Sequence, residues 1–385
     1  MNFISFSPHF PPNYYLFCVH LRSLGVNVLG LADVGYDSLR GELKSGLTEY
    51  YRVSNAQNYD ELVRAVGYFT YRYGKIDRLE SHNEYWLETD ARLRTDFNIP
   101  GFHVSDLPWI KRKSEMKKMF VQAGVQVARG QVAQTIEEAE AFIKQVSYPI
   151  IAKPDSGVGA ARTYKLHSQA ELEAFFANKP SVDNIFEEFI QGTILTFDGL
   201  TDQNGNIVFS SSLQYNEGMM DLVNENLDFW YYTLRLIPAD LEAAGRKLVE
   251  VYRLKERFFH FEFFRTPDER LVGLEVNMRP PGGLTTDMFD YANDINIYRE
   301  YANIVVNNRF EAHFTRPYFC AYIGRRFNKN YLHSHNEILN NFPGKIMHHE
   351  QIPGVFSAAL GDYGYLARSP ELEEIKEIST WVLQK

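Results

Sequence analysis

The chain is poor in cysteine and lacks both an excess of positive charge and any long apolar run. Only two of its 385 residues are cysteines, Cys18 and Cys320, which excludes a disulfide framework and a cysteine-based metal motif. The formal net charge of −9 argues against a broad nucleic-acid-binding surface. No apolar run is long enough to span a bilayer, and the N-terminus has no basic segment typical of a signal peptide. These absences favour a cytoplasmic protein without nucleic-acid or membrane partners.

Two common nucleotide-binding motifs are also missing. No GxGxxG follows the first predicted strand and no GxxxxGK[ST] occurs, so the chain has neither a dinucleotide fingerprint nor a Walker A loop. The composition is nevertheless that of a globular protein, with 45% hydrophobic and 15% aromatic residues. At 385 residues, the chain is long enough for two or three domains.

The first 110 residues alternate between strand-like and helix-like segments. The predicted strands are residues 2–6, 26–31, 50–53 and 76–79, and the predicted helices are residues 14–24 and 59–73. This alternation predicts an open parallel sheet covered by helices, with a ligand crevice at the carboxyl ends of its strands. His82, Asn83 and Glu84 either line that crevice or form a polar capping loop.

The most informative stretch runs from residue 259 to residue 283, where a turn joins two strand-like runs. Alternate side chains of a strand share one face, so Glu275, Asn277 and Arg279 project together. Hairpin pairing then brings Glu262 beside them from the neighbouring strand. Carboxylate and amide oxygens suit a magnesium ion that also binds phosphate, and a guanidinium binds phosphate directly. This stretch therefore predicts a metal–nucleotide site.

A second phosphate-binding feature surrounds Lys153, which ends a predicted strand. The loop that follows it, residues 154–160, contains Ser156, Gly157 and Gly159. Small residues allow backbone N–H groups to approach a phosphate closely, while the lysine adds a mobile positive charge. The loop is also suited to close over a reaction as a lid.

The order of these features resembles the ATP-grasp superfamily. Four motifs carry the resemblance, namely Lys113 before the turn Ala123-Gly124-Val125, the segment YPIIAKPDSGVGAAR at 148–162, the hinge Glu187-Glu188-Phe189-Ile190-Gln191-Gly192, and the set Glu262, Glu275, Asn277, Arg279, Gly282 and Gly283. Their order matches that of the family over about residues 111–304. The resemblance implies that Lys113 and Lys153 contact the phosphates of ATP.

The resemblance also implies roles for the other motif residues. Glu262, Glu275 and Asn277 would hold Mg²⁺ (or Mn²⁺) ions that bridge the phosphates. Arg279 would stabilise the transferred phosphoryl group and, with Lys153, would form the catalytic set. The hinge would bind the adenine through the residues Glu187, Glu188, Phe189 and Ile190. In that hinge, the Glu187 carboxylate would accept from the adenine amino group and the Ile190 backbone would read the ring edge.

The chain departs from the family pattern after the hinge. An acidic residue usually follows the hinge glycine and holds the ribose, but Thr193 and Ile194 stand there in this chain. Asp198 is then the candidate for the ribose contact. The lid loop is also less rich in glycine than is usual in the family.

These patterns predict a protein of α/β and α+β class in three parts. Residues 1–110 form a Rossmann-like open parallel sheet, and residues 111–310 form a two-subdomain ATP-grasp fold whose lid covers about residues 115–190. Residues 311–385 form a small α+β section that completes the substrate side. In that section Arg325 and Arg326 either bind a substrate carboxylate or form a solvated pair, and the aromatic run at residues 229–232 either lines the pocket or packs in the core.

The resemblance implies an ATP-dependent, ADP-forming ligase that activates a carboxylate as an acylphosphate and couples it to an amine. Amino acids or similar small metabolites are the expected substrates, and a homodimer is the expected assembly. Two alternatives remain, a biotin-dependent carboxylase-like subunit and an ATP-binding regulatory protein without catalysis.

Overall fold

The computed structural model describes residues 1–157, 162–179, 182–216 and 227–385. The strands are β1 (Asn2–Phe6), β2 (Asn27–Ala32), β3 (Glu49–Arg52), β4 (Arg78–Glu80), β5 (Gln126–Val127), β6 (Gly130–Val132), β7 (Ile150–Pro154), β8 (Tyr164–Leu166), β9 (Asn184–Glu188), β10 (Thr193–Thr201), β11 (Ile207–Ser211), β12 (Leu213–Tyr215), β13 (Phe229–Thr233), β14 (Phe258–Arg265), β15 (Leu271–Asn277), β16 (Phe319–Arg325), β17 (Ile346–Gln351) and β18 (Tyr363–Ser369). The helices are α1 (Tyr15–Ser23), α2 (Gly41–Gly46), α3 (Tyr59–Tyr73), α4 (Leu87–Asp96), α5 (Leu107–Lys111), α6 (Lys113–Gln122), α7 (Ile136–Val146), α8 (Gln169–Ala177), α9 (Ala239–Tyr252), α10 (Thr285–Asn293), α11 (Ile297–Asn307), α12 (His335–Asn341), α13 (Gly354–Leu360) and α14 (Leu372–Leu383). None of these described helices is long and apolar enough to cross a membrane.

The N-terminal sheet is parallel, which confirms the prediction from the strand–helix alternation. Its strand order is β3-β2-β1-β4, and each neighbouring pair runs in the same direction. Helix α3 covers one face because its apolar residues recur at helical spacing, and Leu62, Val66 and Phe69 are all buried. The carboxyl ends of β1 and β4 point towards the rest of the chain, where the loops that follow them meet the central part of the protein.

A ten-stranded sheet forms the centre of the molecule. Its order is β17-β18-β16-β13-β12-β10-β14-β15-β5, with β11 paired to the side of β10. The pairs are antiparallel except for β15 with β5. Strands β16 to β18 of the C-terminal section extend this sheet, so that section shares a continuous hydrogen-bonded layer with the central part.

A separate four-stranded antiparallel sheet carries the lysine loop. Its order is β6-β9-β7-β8, and helices α7 and α8 pack against it through a small apolar core. Thr135 caps the start of α7 and Ser168 caps the start of α8, each by accepting a bond from a backbone N–H. Lys153 lies on β7 in this sheet, and the expected hinge begins where β9 ends.

The aromatic run at residues 229–232 belongs to strand β13 and to the core, rather than to a loop that lines a pocket. Phe229 and Tyr231 are buried in the main apolar cluster, while Trp230 and Tyr232 pack with the cluster under helix α14. Alternating side chains of a central strand face two packed layers, which is why four consecutive aromatic residues are accommodated. Of the two alternatives that the sequence left open, the buried side chains support packing in the core. Residues 217–226 of the preceding segment lie outside the described residues.

Arg325 and Arg326 have a structural role that differs from both alternatives derived from the sequence. Both residues are buried. The Arg325 guanidinium donates to the carbonyl of Val382, and that of Arg326 donates to the carbonyls of Ser357 and Ala358. These carbonyls lie near the carboxyl ends of α14 and α13, where unpaired acceptors and the helix dipole favour a cation. The pair therefore secures two helices and is not solvated.

Close packing between α9 and β10 generates a prediction for stability. A methyl group on Gly245 would overlap the ring of Phe197, which is fully buried. We expect Gly245→Ala to lower the free energy of unfolding by about 1–3 kcal/mol, because overpacking a dense core forces side chains off their rotamers. Gly67→Ala in helix α3 is the matched control, since a methyl group there meets nothing within 4 Å. We expect this control to gain about 0.5–1 kcal/mol in urea unfolding, and equal effects at the two positions would contradict the prediction.

Candidate active site

The hairpin of β14 and β15 brings the predicted metal-site residues onto one sheet face. Glu262 lies directly opposite Glu275, and His260 lies opposite Asn277. The other face is apolar, and Phe261 on β14 is fully buried there. Two like charges at directly opposed positions destabilise a sheet. The hairpin therefore depends on positive charge from the surrounding elements.

Two lysines supply part of that charge. Lys113, at the start of α6, places its Nζ 3.3 Å from Oε1 of Glu275. Lys153 is buried on β7, and burial alone would lower its pKa. The nearby carboxylates of Glu187, Glu275 and Glu262 overcome that effect and raise the pKa of Lys153. Both lysines that the sequence predicts as phosphate ligands therefore lie close to the acidic hairpin.

A buried ion triad in the lid sheet includes a residue that the sequence reasoning missed. The Glu187 carboxylate lies 2.7 Å from Nζ of Lys153 and 2.6 Å from Nζ of Lys117. Burial opposes ionisation of Glu187, but the two lysines lower its pKa to about 2. Lys117 stands one helical turn after Lys113 on α6, so the spacing of four residues was the available signal.

The other hinge residues surround this triad in different ways. The Glu188 carboxylate binds Arg129, with Oε2 lying 2.6 Å from the guanidinium, and makes no such contact with Lys153 or Lys117. Successive strand residues face opposite sides, which separates Glu188 from Glu187. Lys165 lies 3.7 Å above the ring of Phe189, and Ile190 is half-buried.

The loop after Lys153 is tied to the helix that carries Lys113. Asp155 is fully buried, and its carboxylate accepts from the backbone N–H and the hydroxyl of Ser114, at 2.8 and 2.9 Å. Ser156 forms a backbone bridge with Arg112. A carboxylate at a helix N-terminus satisfies free N–H groups and complements the helix dipole. This contact holds the chain just after Lys153 against the start of the helix that carries Lys113. Gly157 is exposed at the end of the described segment, and Gly159 lies outside the described residues.

Asp198 has a different environment from the one expected of a ribose ligand. It is fully buried on β10, where one carboxylate oxygen lies 2.5 Å from Nδ1 of His260 and the other accepts from the Thr196 hydroxyl. The other nitrogen of His260 lies 3.2 Å from Glu262. With both oxygens bound internally, Asp198 orients His260 towards a predicted metal ligand instead of facing a ribose. The signal for His260 was its position two residues before Glu262 on the same strand face.

Arg279 meets a residue from the N-terminal sheet. Its Nε lies 3.3 Å from Oε2 of Glu84, and its Nη2 lies 3.4 Å from the amide oxygen of Asn277. The two neighbours of Glu84 have structural roles. His82 packs against aromatic rings of the core, and Asn83 caps the backbone N–H of Tyr85. Asn83 therefore has the capping role that was one of the two alternatives for this loop, and Glu84 alone of the three reaches Arg279.

Crossed ion pairs join the N-terminal sheet to the acidic hairpin. Arg78 of β4 binds Glu256, and Glu80 of the same strand binds Arg257. The Arg257 guanidinium also donates to the carbonyl of Met278, 3.1 Å away, which precedes Arg279. The pairs are largely shielded from water, so they are screened little by salt. They place the first sheet against the end of β15.

The donor set fits a magnesium–phosphate complex. Within the four described ranges, no group of three or more His, Cys, Asp and Glu side chains is arranged to hold a metal ion. Magnesium is usually held by one or two carboxylates, with phosphate oxygens and water completing its shell. The opposed carboxylates of Glu262 and Glu275, with the amide of Asn277 at 8% exposure, match that requirement.

Comparisons with known proteins agree with this geometry. Residues 110–251 match the family model of the ATP-grasp domain. An L-arginine-specific L-amino acid ligase of Bacillus subtilis is 24% identical over 248 residues, which are 60% of this chain and 58% of that enzyme. The crystal structure of an L-amino acid ligase from Bacillus licheniformis has a TM-score of 0.77 at 15% identity and covers 99% of this chain and 96% of that one. N5-carboxyaminoimidazole synthetase from Staphylococcus aureus, complexed with ADP, has a TM-score of 0.73 at 13% identity, with 98% and 95% covered.

Residues 110–251 are thus similar to the ATP-grasp domain, the superfamily whose motifs the sequence resembles. The ligases and synthetases to which the chain is similar are of the carboxylate–amine ligase type. The chain spans less than two thirds of the length of the curated relative, and the solved structures are similar in fold alone.

The buried triad generates a prediction about acid stability. We expect Glu187→Gln to lower the free energy of unfolding by about 3–5 kcal/mol at neutral pH, because it leaves two buried lysines without their counter-charge. The folded-state pKa of Glu187 lies below its ordinary value of 4.5, at about 2. Its contribution is therefore present above pH 4.5 and is lost as the pH falls towards 2. Urea unfolding of the variant should show a weaker pH dependence across this window.

Glu188→Gln is the control for this variant, because it removes a neighbouring carboxylate whose partner, Arg129, is exposed. Exposed pairs contribute about 0–1 kcal/mol. Similar losses in the two variants would contradict the assignment of the buried triad.

Proposed function

We propose that the protein is an ATP- and Mg²⁺-dependent, ADP-forming ligase that joins a carboxylate to an amine. One observation carries the proposal, namely the directly opposed Glu262 and Glu275 with Lys113, Lys153 and Arg279 converging on them. Phosphoryl transfer requires positioning and charge neutralisation more than covalent help from the protein. The carboxylates and the basic side chains that converge on them would provide both the positioning and the charge neutralisation.

Each part of the site has a proposed role in binding ATP. Lys113 and Lys153 bind the phosphates, while Glu262, Glu275 and Asn277 hold the magnesium ions. When bound, magnesium neutralises the phosphate oxygens and orients them for transfer. His260, held by Asp198, orients the Glu262 carboxylate through its hydrogen bond.

The hinge has a proposed role in binding the adenine. The Ile190 backbone reads the ring edge, with Glu188 and Phe189 beside it. When ATP binds, its phosphates compete with the Glu187 carboxylate for Lys153 and Lys117. Once Glu187 is released from the two lysines, its carboxylate accepts a hydrogen bond from the adenine amino group. Gly192 supports this placement, because the hinge backbone passes so close to Arg265 that a side chain at Gly192 would clash with its carbonyl.

The reaction proceeds in two displacements. An oxygen of the substrate carboxylate attacks the terminal phosphorus of ATP, and ADP departs. Arg279 stabilises the charge on the transferred phosphoryl group. The amine then attacks the acyl carbon, and phosphate departs with the electron pair of the broken C–O bond. The described part of the lid loop, which ends at Gly157, would exclude water that otherwise hydrolyses the acylphosphate.

Amino acids are the proposed substrates on both sides of the new bond. The support is the similarity to two proteins named as L-amino acid ligases. The test measures the release of ADP and phosphate from Mg-ATP in the presence of pairs of amino acids. A separate experiment replaces the amino acids with bicarbonate and biotin. Release that depends on both members of an amino-acid pair would support the proposal. Release that depends on bicarbonate and biotin would establish the carboxylase alternative instead.

A charge-removing variant tests the metal assignment. We expect Glu275→Gln to lower ADP release by about 10²–10³-fold, since the loss of one preorganised charge in such a site has effects of that size. Glu269→Gln is the matched control, because it removes an exposed carboxylate from the turn of the same hairpin. Removal of Mg²⁺ with a chelator should abolish release by the parent and by the Glu269 variant alike. Undiminished ADP release by Glu275→Gln would show that Glu275 is not a metal ligand.

A further inference from the structure

Glu84 is a buried carboxylate that has no role in the two displacements proposed above. Its side chain is 10% exposed, and Oε2 makes no hydrogen bond within the described part of the chain. Its charged contact is with the Arg279 guanidinium, while the oxygen accepts no aligned hydrogen bond. A buried carboxylate with incomplete hydrogen bonding calls for an explanation, and a catalytic role is one of those that proteins use.

The surroundings of Glu84 place that oxygen inside the reaction site. Arg279 lies 3.3 Å from Oε2, and the other charged groups around it are Glu275 of β15, Lys111 of α5 and Lys113 of α6. Glu84 comes from the loop after β4, so it faces the acidic hairpin from the N-terminal side. Arg279 is the group proposed to stabilise the transferred phosphoryl group, so Glu84 lies next to the place where the acylphosphate forms and the amine has to arrive.

We propose that Glu84 accepts the proton of the incoming amine, which makes it a catalytic residue for the second displacement. The proposal rests on the ligase function proposed above. A primary amine is largely an ammonium ion at neutral pH and has no lone pair for attack until it loses a proton. A buried carboxylate beside the acyl carbon both attracts the ammonium and accepts that proton.

The step balances as follows for an amine R–NH₃⁺. One proton passes to Glu84, and the nitrogen lone pair forms the C–N bond to the acyl carbon. The C–O bond to phosphorus breaks, its electron pair leaves with phosphate, and the phosphate takes the second proton from nitrogen. Glu84 releases its proton to water after the products leave. Burial raises the pKa of Glu84 above its ordinary value, which makes its carboxylate a stronger proton acceptor.

The test compares two nucleophiles in a Glu84→Gln variant. An amino acid needs a proton acceptor, whereas hydroxylamine is mostly unprotonated at neutral pH and traps the acylphosphate as a hydroxamate. We expect the variant to form amide about 10²-fold more slowly, the usual effect of losing one acid–base group. Hydroxamate formation should stay close to that of the parent. Glu88→Gln is the control, because Glu88 lies in the next turn with its side chain 59% exposed.

Other outcomes separate this proposal from its alternatives. Equal decreases in the rates of amide and hydroxamate formation would show that Glu84 acts only on Arg279 and the first displacement, and would overturn the proposal. Undiminished amide formation would overturn it as well. Parent protein that forms neither product would overturn the ligase function itself. If Glu84→Gln does not fold, Glu84→Asp retains a carboxylate at shorter reach, and the same ratio of amide to hydroxamate should fall. An unchanged ratio in that variant would overturn the proposal.

Discussion

The repulsion between Glu262 and Glu275 is the constraint on which the rest of the site depends. The two carboxylates are directly opposed on neighbouring strands, an arrangement that a sheet does not favour by itself. Lys113, Lys153 and Arg279 converge on them from three different parts of the chain. The site therefore holds acidic and basic side chains side by side, and the basic ones offset the repulsion between the two carboxylates.

That charge balance also explains how the lid is attached. Lys153 belongs to the lid sheet, and its partner Glu187 also binds Lys117 from the helix that begins at Lys113. Asp155 caps the same helix at its start. The lid sheet and helix α6 are thus connected through polar contacts that lie close to the proposed phosphate site.

The N-terminal sheet contributes to the site through the loops that follow its strands. The crossed pairs of Arg78 with Glu256 and of Glu80 with Arg257 fix its position, and Glu84 then reaches Arg279. Because buried pairs need good geometry to offset the cost of desolvation, they specify one relative placement of the two parts. The position of Glu84 beside Arg279 follows from that placement.

The sequence by itself determined the local elements and the face on which the acidic residues lie. Strand period and turn position predicted the β14–β15 hairpin, and helical period predicted α3 with its observed bounds, because both signals come from neighbouring residues. Only the tertiary structure decided that Asp198 binds His260, and that Arg325 and Arg326 secure helix ends. Those contacts join residues that are distant in sequence. They form because buried polar groups need hydrogen-bond partners, and which groups become buried together is not visible in any local sequence pattern.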